Sequence, residues 1–142
     1  MLGGTTTRVT AQFDKTNTTL ADVTGLTADV IAGQTYQFEA CLLLTASGAN
    51  GFKVAIGGTC TATRMDAYGW GANGTGFAPL AQATNVALGT AIAAQTTAAI
   101  IAEVKGTIVV NAGGTLTLMF AQNAASGTSS VLIGSYFKVN KI

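Results

Sequence analysis

Few residues in this chain can do chemistry. Its carboxylates are Asp14, Asp22, Asp29, Glu39, Asp66 and Glu103, its thiols are Cys41 and Cys60, and it has no His. Its basic groups are Arg8, Arg64, Lys15, Lys53, Lys105, Lys138 and Lys141. Without imidazole, Ser-His-Asp and Cys-His nucleophile systems are excluded, as is an imidazole zinc site. A glycosidase needs two carboxylates across one bond. The hydrophobic pattern spreads these acids over separate strands and turns, and no motif marks a pair. Gly-x-Ser-x-Gly and the phosphate-binding loop are missing. The Gly-rich run at 69–76 lacks the Lys and following helix of a phosphate cradle. We therefore expect no enzyme, no cofactor and no metal site.

Smaller constellations have structural explanations. Asp14, Asn17 and Asp22 offer oxygens near a turn, but a calcium site needs 6–8 of them. Asp14 and Asn17 read instead as turn-forming side chains that bond their own backbone. Glu39 is a surface charge or a cross-strand partner of Lys53 or Arg64, which would fix register more than add stability. Cys41 and Cys60 read as buried free thiols rather than a bridge, since nothing indicates an oxidising compartment. Asn17 and Asn73 head N-x-Thr sequons, which matter only in a eukaryotic secretory setting.

The elements that position these groups follow from composition and pattern. The chain has 142 residues, a suitable size for one domain. Only 9% of residues are charged and the net charge is +1. About 25% is usual. So few basic residues leave little to neutralise phosphates, which excludes a nucleic-acid partner. At 49% hydrophobic the chain is folded rather than disordered. Residues 67–102 and 106–137 carry no charge, yet Thr, Ser, Asn, Gln and Gly interrupt both, so neither reads as a membrane span. The N-terminus lacks the basic and apolar regions of a secretory signal. Residues 1–7 are expected to form an arm, ordered against a partner and protease-sensitive in the free protein. Residues 8–142 are expected to form one domain.

Alternation predicts strands throughout. Tyr36, Phe38, Ala40, Leu42 and Leu44 share one face. Phe52–Ile56 and Thr59–Tyr68 alternate too, the latter with Arg64 and Asp66 on one side. Ile100, Ala102, Val104, Ile108 and Val110 form a core face. So do Leu116, Leu118 and Phe120, and then Val131, Ile133, Phe137 and Val139. Shorter strands are expected at Arg8–Phe13, Thr18–Val23 and Leu26–Val30. Gly-rich separators supply the turns. Residues 87–102 are Ala-rich but uncapped, a weak helix. About eight or nine short strands argue for an all-β, antiparallel β-sandwich. Residues 27–38 and 107–118 echo each other as Thr, a strand ending in Val, x-Ala-Gly-x-Thr and another strand. We read this as one hairpin design used twice.

Residues 69–79 hold the only Trp and the only Pro, and read as the long loop of the molecule. It is either a contact surface or a crossover between sheets with Trp70 and Phe77 on the core. Candidate interface residues are Arg8, Trp70, Phe77, Leu80 and Leu88.

Three stretches, 7–26, 32–40 and 106–132, carry a resemblance. Thr7-Arg8-Val9-Thr10-Ala11-Gln12-Phe13-Asp14, Ala32-Gly33-Gln34-Thr35-Tyr36-Gln37-Phe38-Glu39-Ala40 and Asn111-Ala112-Gly113-Gly114-Thr115-Leu116 are its clearest parts. Together they resemble a domain recurrent in tailed-bacteriophage structural proteins, found alone or at the tip of fibre-like proteins. Residues 65–98 match least. The resemblance implies no catalytic residues. By analogy with phage cement proteins it implies a jelly-roll-like sandwich assembling as a homotrimer. A start at Met1 with no shaft segment suits a capsid decoration (cement) protein on the virion surface, with the major capsid protein as partner. The alternative is a tail-fibre or head-fibre tip whose Trp70 and Phe77 meet a host receptor. So sparse a charge supply suits a protein that lives packed against copies of itself and a shell.

Overall fold

Strict alternation over Thr35–Ala46 makes this segment a strand with one apolar face, and Tyr36, Phe38, Ala40, Leu42 and Leu44 are all buried. The same rule, residue after residue, builds the computed structural model, which describes residues 4–47, 49–93 and 98–142. Its strands are β1 (Gly4–Arg8), β2 (Phe13–Lys15), β3 (Ala21–Val30), β4 (Thr35–Ala46), β5 (Lys53–Gly57) and β6 (Thr61–Ala72). They continue with β7 (Phe77–Pro79), β8 (Ile92–Ala93), β9 (Ala99–Ala112), β10 (Gly114–Ala121), β11 (Ser129–Val131) and β12 (Tyr136–Lys141). There are more strands than the pattern suggested, and no helix is present among the described residues.

The pairing is nested. β6 pairs with β7, β5 with β8, β4 with β9, β3 with β10, β2 with β11 and β1 with β12, all antiparallel. The chain is thus one long folded ribbon with its tip at residues 73–76. Rolling the ribbon brings β12 and β11 beside β4, β10 beside β5, and β6 beside β9. Two sheets result: β1-β12-β4-β9-β6-β7, with β2 and β11 attached at β4, and β3-β10-β5-β8. A double ribbon rolled into two sheets is the jelly roll. The core between the sheets holds Phe38, Phe52, Phe120, Phe137, Leu42, Ile56, Met65, Ile108, Leu116 and Leu118, all essentially inaccessible. Phe38 lies 6.4 Å from Phe137 and Phe52 lies 6.3 Å from Phe120, ring centre to ring centre.

The echoed segments are not hairpins. β3 and β4 lie in different sheets, and so do β9 and β10. Both echoes are corners at which the ribbon bends from one sheet to the other. They lie side by side, with Gly33 N donating to Val110 O and Val110 N to Gln34 O. The register runs unbroken through the bend, with Val30 opposite Gly114 in one sheet and Thr35 opposite Val109 in the other. A turn of Ala-Gly type reads alike in either setting, because what differs is the pairing beyond it.

Other departures have local causes. Thr18–Val23 and Leu26–Val30 are not two strands. The latter half of the first and the whole of the second form β3, in which Gly25 (φ 95°) shifts the buried phase from Val23 to Leu26. A Cβ on Gly25 would come within 2.7 Å of Arg8 O, so the close crossing of β1 needs glycine. Arg8–Phe13 is no strand: β1 ends at Arg8, and Val9 turns into the core. Residues 4–7 of the expected arm are part of β1, paired with β12; Met1–Gly3 lie outside the described residues.

Val131–Val139 splits at a turn closed by Ser135 N to Leu132 O, and Ile133 sits on its outside, 62% exposed rather than in the core. Ile100 is also turned out: it stands opposite a bulge in β4 between Leu43 and Ala46, and Ala99 turns inward instead. Gly106 is required where β9 runs beside β6, opposite Ala67. A Cβ there would meet Asp66 O and lie 2.5 Å from the Phe38 ring.

Candidate interaction surface

The register of the larger sheet sorts the chemistry-bearing residues. Direct cross-strand partners share a face. One outward row reads Arg8, Tyr136, Cys41, Glu103, Trp70 across β1, β12, β4, β9 and β6. The next reads Thr6, Lys138, Glu39, Lys105, Tyr68. Arg64 and Asp66 follow on β6. Most of the chain's charges therefore stand on the outside of one sheet.

Those at the centre of the face are neutralised locally. Lys105 Nζ lies 3.8 Å from Glu39 and 3.6 Å from Glu103. Tyr136 donates its hydroxyl proton to Glu39 at 3.3 Å. The expected partners of Glu39 are elsewhere: Lys53 is in the other sheet, and Arg64 binds Asp66 through Nε at 2.6 Å. Asp66 also accepts Asn85 N at 2.6 Å. These bonds hold its carboxyl below the ordinary range, with Arg64 the larger cause. Partly exposed pairs of this sort add little stability and serve to hold geometry.

Cys41 and Cys60 are free thiols, Cys60 buried and Cys41 half-buried on the charged face. Burial raises both thiols, and Glu103 and Glu39 raise Cys41 further. Both thus stay protonated and poorly nucleophilic at neutral pH. Native protein at pH 7 is expected to react slowly at Cys41 and not at Cys60 in a thiol titration, with both reacting in denaturant. Fast reaction at both in the native state would contradict this packing.

The acids near the turn do not converge on a cation. Asp14 accepts Ser130 Oγ at 2.6 Å and Gln12 Nε2 at 2.8 Å, which lowers its pKa, Ser130 first. Asn17 Oδ1 caps Thr19 N at 3.1 Å, the turn role expected of it. Asp22 faces Met119 on β10. Among the described residues no cluster of metal-ligating side chains occurs.

The run at 69–79 is neither an irregular loop nor a crossover. β6 continues through Trp70 to Ala72, and β7 returns beside it in the same sheet. Trp70 and Phe77 meet edge to face at 5.1 Å. Phe77 is 78% exposed, and with Ala72, Ile100 and Ile101 it lines an open apolar cleft of about 380 Å³ beside the ribbon tip. The predicted interface residues are therefore dispersed. Trp70 and Phe77 come together. Arg8 is at the far edge of the sheet on β1, and Leu88 borders a separate cleft near Gly57 and Met119. Leu80 is a core residue, 2% exposed, because its main chain is bonded to Gly69 and turns the side chain inward. Tyr68, Ile100 and Ile101 belong to the surface and were missed. Continuing the phase of Arg64 and Asp66 through Tyr68 to Trp70 would have placed the first of them.

The nested pairing defines the class: a jelly-roll β-sandwich with an apolar edge. No protein-family model matches the chain, and no curated protein sequence does. Among solved structures it is similar to Eiger TNF from S. frugiperda, at 11% identity and TM-score 0.49 over 99% of this chain and 92% of that one. It is similar to a carbohydrate-binding module of Cellvibrio mixtus lichenase 5A, at 12% identity and TM-score 0.38 over 97% of each chain. It is also similar to VP17, a capsid protein of bacteriophage P23-77, at 11% identity and TM-score 0.24 over 97% of each chain.

Proposed function

We propose that the protein is a bacteriophage capsid decoration (cement) protein. It binds the outer capsid surface as a homotrimer and stabilises contacts between major capsid proteins, without catalysing a reaction. The observation that carries this reading is the apolar cleft at the β6–β7 edge, where Phe77 and Ile100 stand in solvent on a chain with only 9% charged residues. Patches of this kind mark contact sites. The resemblance of residues 7–26, 32–40 and 106–132 to tailed-phage structural domains supplies the setting. Cementing works by burying area. Each fully covered large apolar side chain contributes roughly 1.5–3 kcal/mol, and a trimer multiplies the contacts.

A second reading, a fibre-tip domain binding a host receptor, is favoured by one feature. Tyr68 and Trp70 stand side by side on β6, facing outward next to Glu39, Glu103 and Lys105. Aromatic planes flanked by hydrogen-bonding groups suit a saccharide or protein receptor.

Two measurements test these. The mass of the soluble assembly should be that of a trimer, and a monomer at all concentrations would count against the cement reading. Binding of the isolated protein to host cells, abolished by Trp70→Ala, would support the fibre-tip reading.

A further inference from the structure

The sequence Gly-Ala-Asn-Gly occurs twice, at 48–51 and 71–74. The fold treats the two Asn-Gly steps in opposite ways. Such a step can lose its side-chain amide. The glycine backbone nitrogen attacks Asn Cγ, the N–Cγ bond forms, and the Cγ–Nδ2 bond breaks. Ammonia leaves, taking the glycine N–H proton. The resulting succinimide takes up one water and opens to aspartate or isoaspartate. The reaction therefore needs a free glycine nitrogen, an amide free to depart, and solvent.

Asn50 meets none of these needs. It is 3% exposed. Its Nδ2 donates to Ser126 O at 2.9 Å, and its Oδ1 accepts Ser47 N at 2.8 Å. The attacking atom is engaged too, since Gly51 N donates to Ser47 O at 3.0 Å. Asn73 meets all three. It is exposed at the tip of the β6–β7 ribbon. Neither its Nδ2 nor Gly74 N donates a hydrogen bond among the described residues. Its Oδ1, in contrast, accepts three bonds, from Thr75 N, Thr75 Oγ1 and Gly76 N, each at 3.0 Å. Those donors draw electron density from Cγ and would receive the negative charge that builds on Oδ1 as the nitrogen adds. An oxyanion hole works in the same way.

We propose that Asn73 is a site of spontaneous deamidation in the folded protein, and that Asn50 is its protected counterpart. The product puts a new carboxylate on the ribbon tip. It lies beside the Phe77–Ile100 cleft, whose Ile100 Cδ1 is 3.7 Å from a Cβ built on Gly74.

The test is peptide mapping of the whole native protein held in mildly alkaline buffer, scoring the Asn-to-Asp mass gain and isoaspartate at both positions. Asn73 should convert more than about tenfold faster than Asn50, which must wait for local opening. In denaturant the two rates should converge. Thr75→Val, which removes one of the three donors, should slow the native reaction at Asn73 several-fold and leave the denatured rate unchanged. Equal native rates at Asn50 and Asn73 would overturn the proposal. So would a native Asn73 slowed by folding as much as Asn50 is.

Discussion

Phe38→Ala is expected to cost roughly 3–5 kcal/mol of folding stability, a large part of the 5–15 kcal/mol that a domain of this kind has in total. The thermal midpoint should fall by roughly 10–15 °C. Phe38 is 1% exposed and stands at the centre of the larger sheet, paired with Phe137 in the core and lying over Gly106. Neighbours on β9 and β12 are held by ladders on both sides and cannot close a cavity left there. Ile133→Ala provides the contrast. The hydropathy pattern places Ile133 inside with Val131 and Phe137, and the structure places it on a turn in solvent. Its loss should stay within about 0.5 kcal/mol. Chemical denaturation of the two variants measures both. Comparable losses at Phe38 and Ile133 would place Ile133 in the core and contradict the β11–β12 turn.

The second large effect concerns binding. Phe77→Asp should leave the fold intact, because the side chain is exposed and its strand is short and peripheral. The same change should lower affinity for capsids by at least about a hundredfold. Removing the apolar contact accounts for roughly 2–3 kcal/mol, and an unpaired carboxylate buried in the contact adds a desolvation cost. A co-sedimentation assay with capsids lacking the protein reads this directly, with circular dichroism as the check on folding. Unchanged affinity in Phe77→Asp would remove the β6–β7 edge from the interface.

The architecture was legible in parts, for physical reasons that individual residues show. Alternation fixed the inward residues of β4, β9 and β10, because one buried face imposes a period of two. It failed at Ile100 and Ile133. A bulge and a turn each reset the phase there, and neither leaves a mark in hydrophobicity. The echo at 27–38 and 107–118 was visible, but its meaning lay in pairing between distant segments. Nothing local tells a hairpin from a corner between sheets. Trp70 and Phe77 stand out because they lie in the Gly-rich run that holds the only Trp and Pro, and they do meet at the surface, while Leu80, grouped with them, is turned into the core by its main chain. Glu39 reads from the pattern as a surface charge or as a partner of Lys53 or Arg64, and its actual partner Lys105 depends on β9 adjoining β4.

On the proposed function, this jelly roll decorates a phage capsid through its apolar edge. The decisive experiment is electron microscopy of virions carrying the protein, reconstructed with the lattice symmetry. Density for the sandwich is expected at regular sites on the capsid surface, with the Phe77 edge against the major capsid protein. Density confined to the tail, with a bare capsid lattice, would contradict it.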